Sequence, residues 1–185
     1  MTPSPVREPR QGRPARPCLF PYYPCRVSRV TAYIALGSNL GDRAAHVQFA
    51  LHELARSPET VVTAASDFIE TEPVGGPSQP AYLNAAAALS TRLPPRELLN
   101  HLLEIEQRRG RTRSAESRWG PRTLDLDLLL FGALVANEPG LAIPHPRLHE
   151  RRFVLEPLAQ IAPGAIIPTL GITVADALHH IGAAR

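Results

Sequence analysis

The stretch VVTAASDFIETEPVGGPSQPAYLNAAAALST, residues 61–91, decides the fold class. Two strand-like runs, 61–70 and 82–91, flank a turn-rich connection built on Glu72-Pro73-Val74-Gly75-Gly76-Pro77. Two strands thus follow one another without a helix between them. That breaks the strict alternation of βαβ units and predicts an antiparallel-leaning α+β domain with helices packed on a sheet. The glycines leave the connection able to move.

On the N-terminal side, VTAYIALG at 30–37 has the β-branched and aromatic character of a buried strand, closed by Gly37-Ser38-Asn39. Asp42 is placed to cap a helix in which Ala44, Val47, Leu51 and Leu54 recur at helical spacing until Ser57-Pro58. On the C-terminal side, Pro94-Pro95 opens a second helix with Leu98, Leu99, Leu102 and Ile105 on its buried side and Gly110 at its end. Residues 111–122 are charged and almost free of aliphatics, which predicts an exposed loop, and 124–131 returns to strand character. Helical spacing reappears at 153–161 and 174–181, the latter through Val174, Ala177, Leu178 and Ile181. No internal repeat is present.

A chain of 185 residues that is 44% hydrophobic fits one globular domain. No run of about 18 apolar residues and no signal-peptide pattern occurs, so a cytoplasmic protein is expected. The net charge of +3 is unevenly spread, because the first 30 residues hold six arginines against one glutamate. The remainder is mildly acidic, which argues against a nucleic-acid surface on the folded part. Residues 1–29, rich in proline and arginine and without apolar periodicity, predict a disordered tail, with 30–185 as the folded domain. The chain ends soon after its last predicted helix, so no further domain is expected. Cys18 and Cys25 both lie in the tail without partners at metal-ligand spacing. The chain has no lysine, which removes Schiff-base and P-loop lysine mechanisms and leaves any phosphate binding to arginine.

In Leu124-Asp125-Leu126-Asp127-Leu128 a strand puts the leucines on one face and both carboxylates on the other. Such a pair reads either as the wet face of an amphipathic strand or as the oxygen ligands of a hard dication. The preceding loop carries Arg111, Arg113, Arg118, Trp119 and Arg122. Guanidiniums that fork onto phosphate beside carboxylates that hold magnesium are the two halves of a nucleoside triphosphate site, which favours the chemical reading. Tyr82 and Asn84 share a strand face and suit either a planar heterocycle or an ordinary core tyrosine with a polar neighbour. His145, in Ile143-Pro144-His145-Pro146, is either a phosphate ligand or a surface residue, and His179 and His180 are polar helix positions. GxxxxGK[ST], GxSxG and HExxH are absent, and the GSNLG of residues 37–41 makes no dinucleotide fingerprint.

The run RWGPRTLDLD at 118–127 closely resembles the signature of the hydroxymethyl-dihydropterin pyrophosphokinases of folate biosynthesis. AYIALGSNLGD (32–42), TEPVG (71–75), YLNAA (82–86) and IPHPRLHER (143–151) extend the likeness over everything from about residue 30 onward. The resemblance implies a ferredoxin-like α+β fold, an antiparallel sheet with helices packed on both faces. It also implies transfer of the β,γ-diphosphate of ATP to the pterin hydroxymethyl oxygen, releasing AMP, with two Mg2+ ions on Asp125 and Asp127. Arg113 and Arg122 would grip the transferring phosphates as catalytic residues. Thr71, Pro73, Val74, Tyr82, Asn84, Trp119 and Phe153 would hold the pterin. Glu106, Arg113, Arg118, Trp119, Leu128, His145 and Arg151 would fall on the ATP side. The implied partners are small molecules alone, with neither nucleic acid nor membrane, and the chain would be a monomer. Leu103 stands where relatives have a glutamine and Gly140 where some have an arginine, and the loop has an extra residue around Ser117.

Two other classes compete. An RNA-binding sheet would display paired aromatics, yet aromatic content is 5%. Sugar transfer from a nucleotide sugar would also use an aspartate pair, but the surrounding motifs are not those it needs.

Overall fold

The computed structural model describes residues 28–73, 78–111 and 120–183. Residues 1–27 of the expected tail, and the glycines at 75 and 76, lie outside the described residues. Strand β1 (Val30–Ser38) runs through the middle of the main sheet. Its alternation sorts Ala32, Ile34 and Leu36 to one face and Tyr33 and Ala35 to the other. Helix α1 (Arg43–Arg56) is capped as the sequence predicts, with Asp42 Oδ1 accepting the Ala45 N–H at 3.0 Å.

The expected single strand at 61–70 is two strands, β2 (Thr60–Ala65) and β3 (Ile69–Thr71). Both pair with the ten-residue β4 (Tyr82–Thr91), and residues 66–68 interrupt them. There Ser66 takes both hydrogen bonds of Ala86, its N–H donating to the Ala86 carbonyl and its Oγ accepting the Ala86 N–H, each at 2.9 Å. The Asp67 N–H turns away and donates to the Gln160 side chain at 2.9 Å. A side chain has replaced the backbone ladder, which ends β2 without a glycine or proline to announce it.

Helix α2 (Pro95–Arg108) buries Leu98, Leu102 and Ile105, and strand β5 (Asp125–Phe131) follows. The strand order is β2-β4-β1-β5, every pairing is antiparallel, and β3 adds to β4. Helix α3 (Arg152–Ile161) and helix α4 (Val174–Ala183) complete the domain. The interior of α1 and α2 packs on one face of the sheet with Ile34, Leu36 and Leu126, whereas α3 and α4 pack on the other with Tyr33, Ala86 and Leu130. This is the ferredoxin-like architecture, with helices on both faces. Two short hairpins escaped the sequence reading, β6 (Ala136–Glu138) with β7 (Leu141–Ile143) and β8 (Ile166–Ile167) with β9 (Ile172–Thr173). Strands of two or three residues hold too few alternations to be read.

Strand β5 contains a bulge. Leu128 lies opposite Ile34 and Leu130 opposite Tyr33, so Leu129 is the extra residue. Leu124, Leu126 and Leu128 therefore enter the α1/α2 core, while Leu129 and Leu130 both enter the α3/α4 core.

Thr173 and Asp176 start α4 with a reciprocal cap. The Thr173 N–H and Oγ1 donate to Asp176 Oδ2 at 3.2 and 2.6 Å, and the Asp176 N–H donates to Thr173 Oγ1 at 3.1 Å. These bonds hold the Asp176 carboxyl below its ordinary value of 3.8. A depressed folded pKa contributes stability above the unfolded value and loses it as pH falls through the folded one. Asp176→Ala is thus expected to melt below the wild type at neutral pH, with the gap closing as pH drops below 3.8, as read by thermal denaturation across pH.

Candidate active site

The carboxyl end of β1 is the centre of a cleft of about 1050 Å³. That volume lies at the upper end of small-molecule sites and suits a site for two substrates. Its floor is built in rows across three strands: Asn84, Gly37 and Asp125 stand side by side, and next to them Ala86, Ala35 and Asp127. In these two rows the middle strand presents only Gly37 and Ala35, so the floor is low between the amide and the carboxylates. A Cβ at Gly37 would sit 3.2 Å from Asn84 Oδ1 and 3.9 Å from the Asp125 Cβ.

Asp125 is held by two guanidiniums. Its Oδ1 accepts from Arg111 Nη1 at 2.5 Å and its Oδ2 from Arg122 Nη1 at 2.6 Å. Arg111 also pairs with Glu106, a residue of α2 that is 1% exposed and whose Oε1 accepts the Leu126 N–H at 2.8 Å. Glu106 thereby satisfies a backbone donor of β5 and fixes the arginine that touches Asp125. Burial opposes the charge on Arg122, but Asp125 outweighs it and the guanidinium pKa is raised.

Asp127 is partly open to the cleft, its side chain 37% exposed, and has looser partners, His145 Nε2 at 4.0 Å and Arg151 Nη1 at 3.9 Å. Burial, then the charge of Asp125, raises its pKa above 3.8. His145 is lowered, chiefly by burial. Its Nδ1 accepts the Arg147 N–H at 3.2 Å, which puts the proton of the neutral ring on Nε2, toward Asp127.

Across the floor, Asn84 Nδ2 donates to Thr71 Oγ1 at 2.8 Å. Thr71, Pro73, Tyr82 and Phe153 line this half of the cleft, and burial raises the Tyr82 pKa. Arg151 lies over the Phe153 ring at 5.7 Å. The cleft thus joins an amide with aromatic walls to a pair of carboxylates among arginines.

Most of the residues singled out in the sequence meet here: Thr71, Pro73, Tyr82, Asn84, Arg122, Asp125, Asp127, His145, Arg151 and Phe153 all line the cleft. Glu106 and Leu128 do not, for Glu106 is behind β5 and Leu128 belongs to the α1/α2 core. Val74, Arg113, Arg118 and Trp119 lie outside the described residues.

Asn39 was missed. It is 1% exposed, its Oδ1 accepts the Arg122 N–H at 2.6 Å, and its own N–H donates to the Arg122 carbonyl at 3.0 Å. Its Nδ2 donates to Gln79 Oε1 at 3.0 Å and to the Pro80 carbonyl at 3.2 Å. One amide therefore ties the entry to β4 to the approach to β5. The signals were a polar residue directly after a buried strand and its place in the AYIALGSNLGD run that carries the resemblance, neither of which names a partner.

Among the described residues no group of three or more His, Cys, Asp or Glu side chains could enclose a metal. Two carboxylates beside an open floor instead fit a hard dication that takes most of its oxygens from water and phosphate, as Mg2+ does.

The profile of the family 7,8-dihydro-6-hydroxymethylpterin-pyrophosphokinase (HPPK) matches residues 33–163. A 2-amino-4-hydroxy-6-hydroxymethyldihydropteridine pyrophosphokinase of Pseudomonas aeruginosa is 46% identical over 136 residues, 74% of this chain and 83% of its own. The Bacillus subtilis protein of the same name is 49% identical over 130 residues, 70% of this chain and 77% of its own. Among solved structures, a HPPK-DHPS in complex with substrates superposes with a TM-score of 0.65 at 13% identity. The wild-type Plasmodium falciparum HPPK-DHPS superposes with a TM-score of 0.64, also at 13% identity. These cover 84% and 82% of this chain, which spans 44% of each of theirs.

Proposed function

The chain belongs to the 7,8-dihydro-6-hydroxymethylpterin-pyrophosphokinase family, and from this we infer which of its residues carry out the family's reaction. It is a pyrophosphokinase of folate biosynthesis, an ATP-using transferase acting on hydroxymethyl-dihydropterin. The observation that carries the assignment of residues is the row Asn84, Gly37, Asp125, with Asp127 in the next row. It sets a heterocycle-recognising amide one glycine away from a carboxylate pair.

In this reading the pterin stacks between Tyr82 and Phe153 and hydrogen-bonds to Asn84 and Thr71, with Pro73, Val74 and Trp119 closing around it. Asn84 Nδ2 donates to Thr71 Oγ1, a bond that orients the Asn84 amide and its Oδ1. Arg151 and His145 receive ATP beside Asp127, together with Arg113, Arg118 and Trp119. Asp125 and Asp127 would hold two Mg2+ ions, which would supply electrostatic screening of the phosphate charge. Arg122 and Arg113 take up charge on the transferring phosphates. Glu106 acts from behind the strand, keeping Arg111 and β5 in place rather than touching nucleotide, and Leu128 supports the floor from the core.

The catalytic domain comprises 30–185, within which the matched segment 33–163 lies. We further propose a cytoplasmic monomer that uses neither nucleic acid nor membrane. Helices on both sheet faces leave little room for a stacking platform, and among the described residues no helix is long and apolar enough to cross a membrane. The test is to incubate the protein with ATP, Mg2+ and the reduced hydroxymethyl-pterin and quantify AMP. One AMP per pterin consumed is expected, and AMP formed at the same rate without pterin rejects the assignment.

A further inference from the structure

Arg43 is the first residue of α1 and does not line the cleft. Its Nη1 donates to Glu70 Oε1 and to the Ala81 carbonyl, each at 2.7 Å. The two acceptors flank the same point of the sheet from opposite strands. Glu70 precedes Thr71, the last residue of β3, and Ala81 precedes Tyr82, the first residue of β4, while Thr71 and Tyr82 are partners in the ladder. One guanidinium therefore spans the end of the β3–β4 ladder just where two of the proposed pterin contacts begin.

Strand β3 needs such a brace. It has three residues, among the described residues it pairs with β4 alone, and residues 66–68 separate it from β2. The Arg43–Glu70 pair, with side chains 30% and 59% exposed, contributes little to global stability in water. The bond to the partly buried Ala81 carbonyl is charge-assisted and directional, and fixes the peptide that leads into Tyr82.

We propose that Arg43 is a positioning residue for the pterin. It acts through Thr71 and Tyr82 by holding the close of the β3–β4 ladder in the geometry that lets Thr71 Oγ1 meet Asn84 Nδ2 and keeps the Tyr82 ring on the cleft wall. This rests on the reading that Thr71, Tyr82 and Asn84 hold the pterin. Small displacements of binding groups weaken a site without unfolding it, so the signature is selective loss toward one substrate.

Steady-state kinetics with each substrate varied in turn, on Arg43→Ala, Arg43→Lys and Asn84→Ala, test this. Arg43→Ala is expected to raise the pterin KM roughly three- to tenfold, with kcat and the ATP KM within about twofold of wild type. Arg43→Lys, whose ammonium can still reach the Ala81 carbonyl, is expected to recover at least part of that loss, and the melting temperature of each variant should stay close to wild type. A wild-type pterin KM in Arg43→Ala, or an equal rise in both KM values, overturns the role of Arg43 while Asn84→Ala remains impaired. If Asn84→Ala also binds pterin normally, the pterin site itself is misassigned and both conclusions fall. Should Arg43→Ala not fold, Glu70→Gln takes its place with a smaller rise expected in the pterin KM alone, and no rise overturns the proposal.

Discussion

Asp127→Asn is expected to lower turnover by about 10²- to 10³-fold or more without lowering the melting temperature. The substitution keeps the shape of the side chain and removes only its charge, so on the proposed reading the loss would measure what the carboxylate contributes to holding Mg2+. Stability should hold or rise, because burial and the neighbouring Asp125 already disfavour the ionised form in the folded protein. Its partners among the described residues, His145 and Arg151, stand at 4.0 and 3.9 Å, so no close contact to either is broken. On the proposed reading, Asp127 is thus a place where function would be maintained against local electrostatics. AMP formation and a thermal melt on the same preparation check both halves, and wild-type turnover in this variant would remove Asp127 from the metal site.

Arg122→Ala is expected to reduce kcat by about 10²-fold while leaving the pterin KM within a few fold. Asn39 fixes the Arg122 backbone through two hydrogen bonds, which the truncated side chain leaves intact. The guanidinium pairs with Asp125, as does that of Arg111. On the proposed reading the same guanidinium would face charge that develops on transfer, so its removal should act on the transition state more than on substrate binding. Single-turnover rates at saturating substrate measure this directly. A rise in KM with unchanged kcat would instead make Arg122 a ground-state binding residue.

Much of this was legible because local patterns agreed with the global fold. The alternation of LDLDL put both carboxylates on one face, and β5 does carry them into the cleft. Asp42 and Pro95 marked the helix starts correctly, since capping is decided within a few residues. What stayed hidden depends on partners distant in sequence. The break after Ala65 is made by Ser66 with Ala86 and by Asp67 with Gln160, so a continuous strand-like run gave no warning. Glu106 lies twenty positions before the Leu126 N–H that it satisfies, and a glutamate near the end of a helix otherwise reads as a solvated charge. Asn39 likewise gained its meaning only when two other segments folded around it.

Leu129 makes β5 two half-strands in opposite phase. Ahead of it, odd-numbered positions face the cleft and even ones the α1/α2 core; beyond it, Leu130 has joined the α3/α4 side. A length change between Asp127 and Phe131 would therefore be transmitted as a switch of sides for one half of the strand, exchanging carboxylates for leucines or leucines for solvent. The three consecutive leucines are expected to tolerate aliphatic exchange far better than the gain or loss of a single residue, which makes this uniform tract a spacer whose length carries more information than its composition.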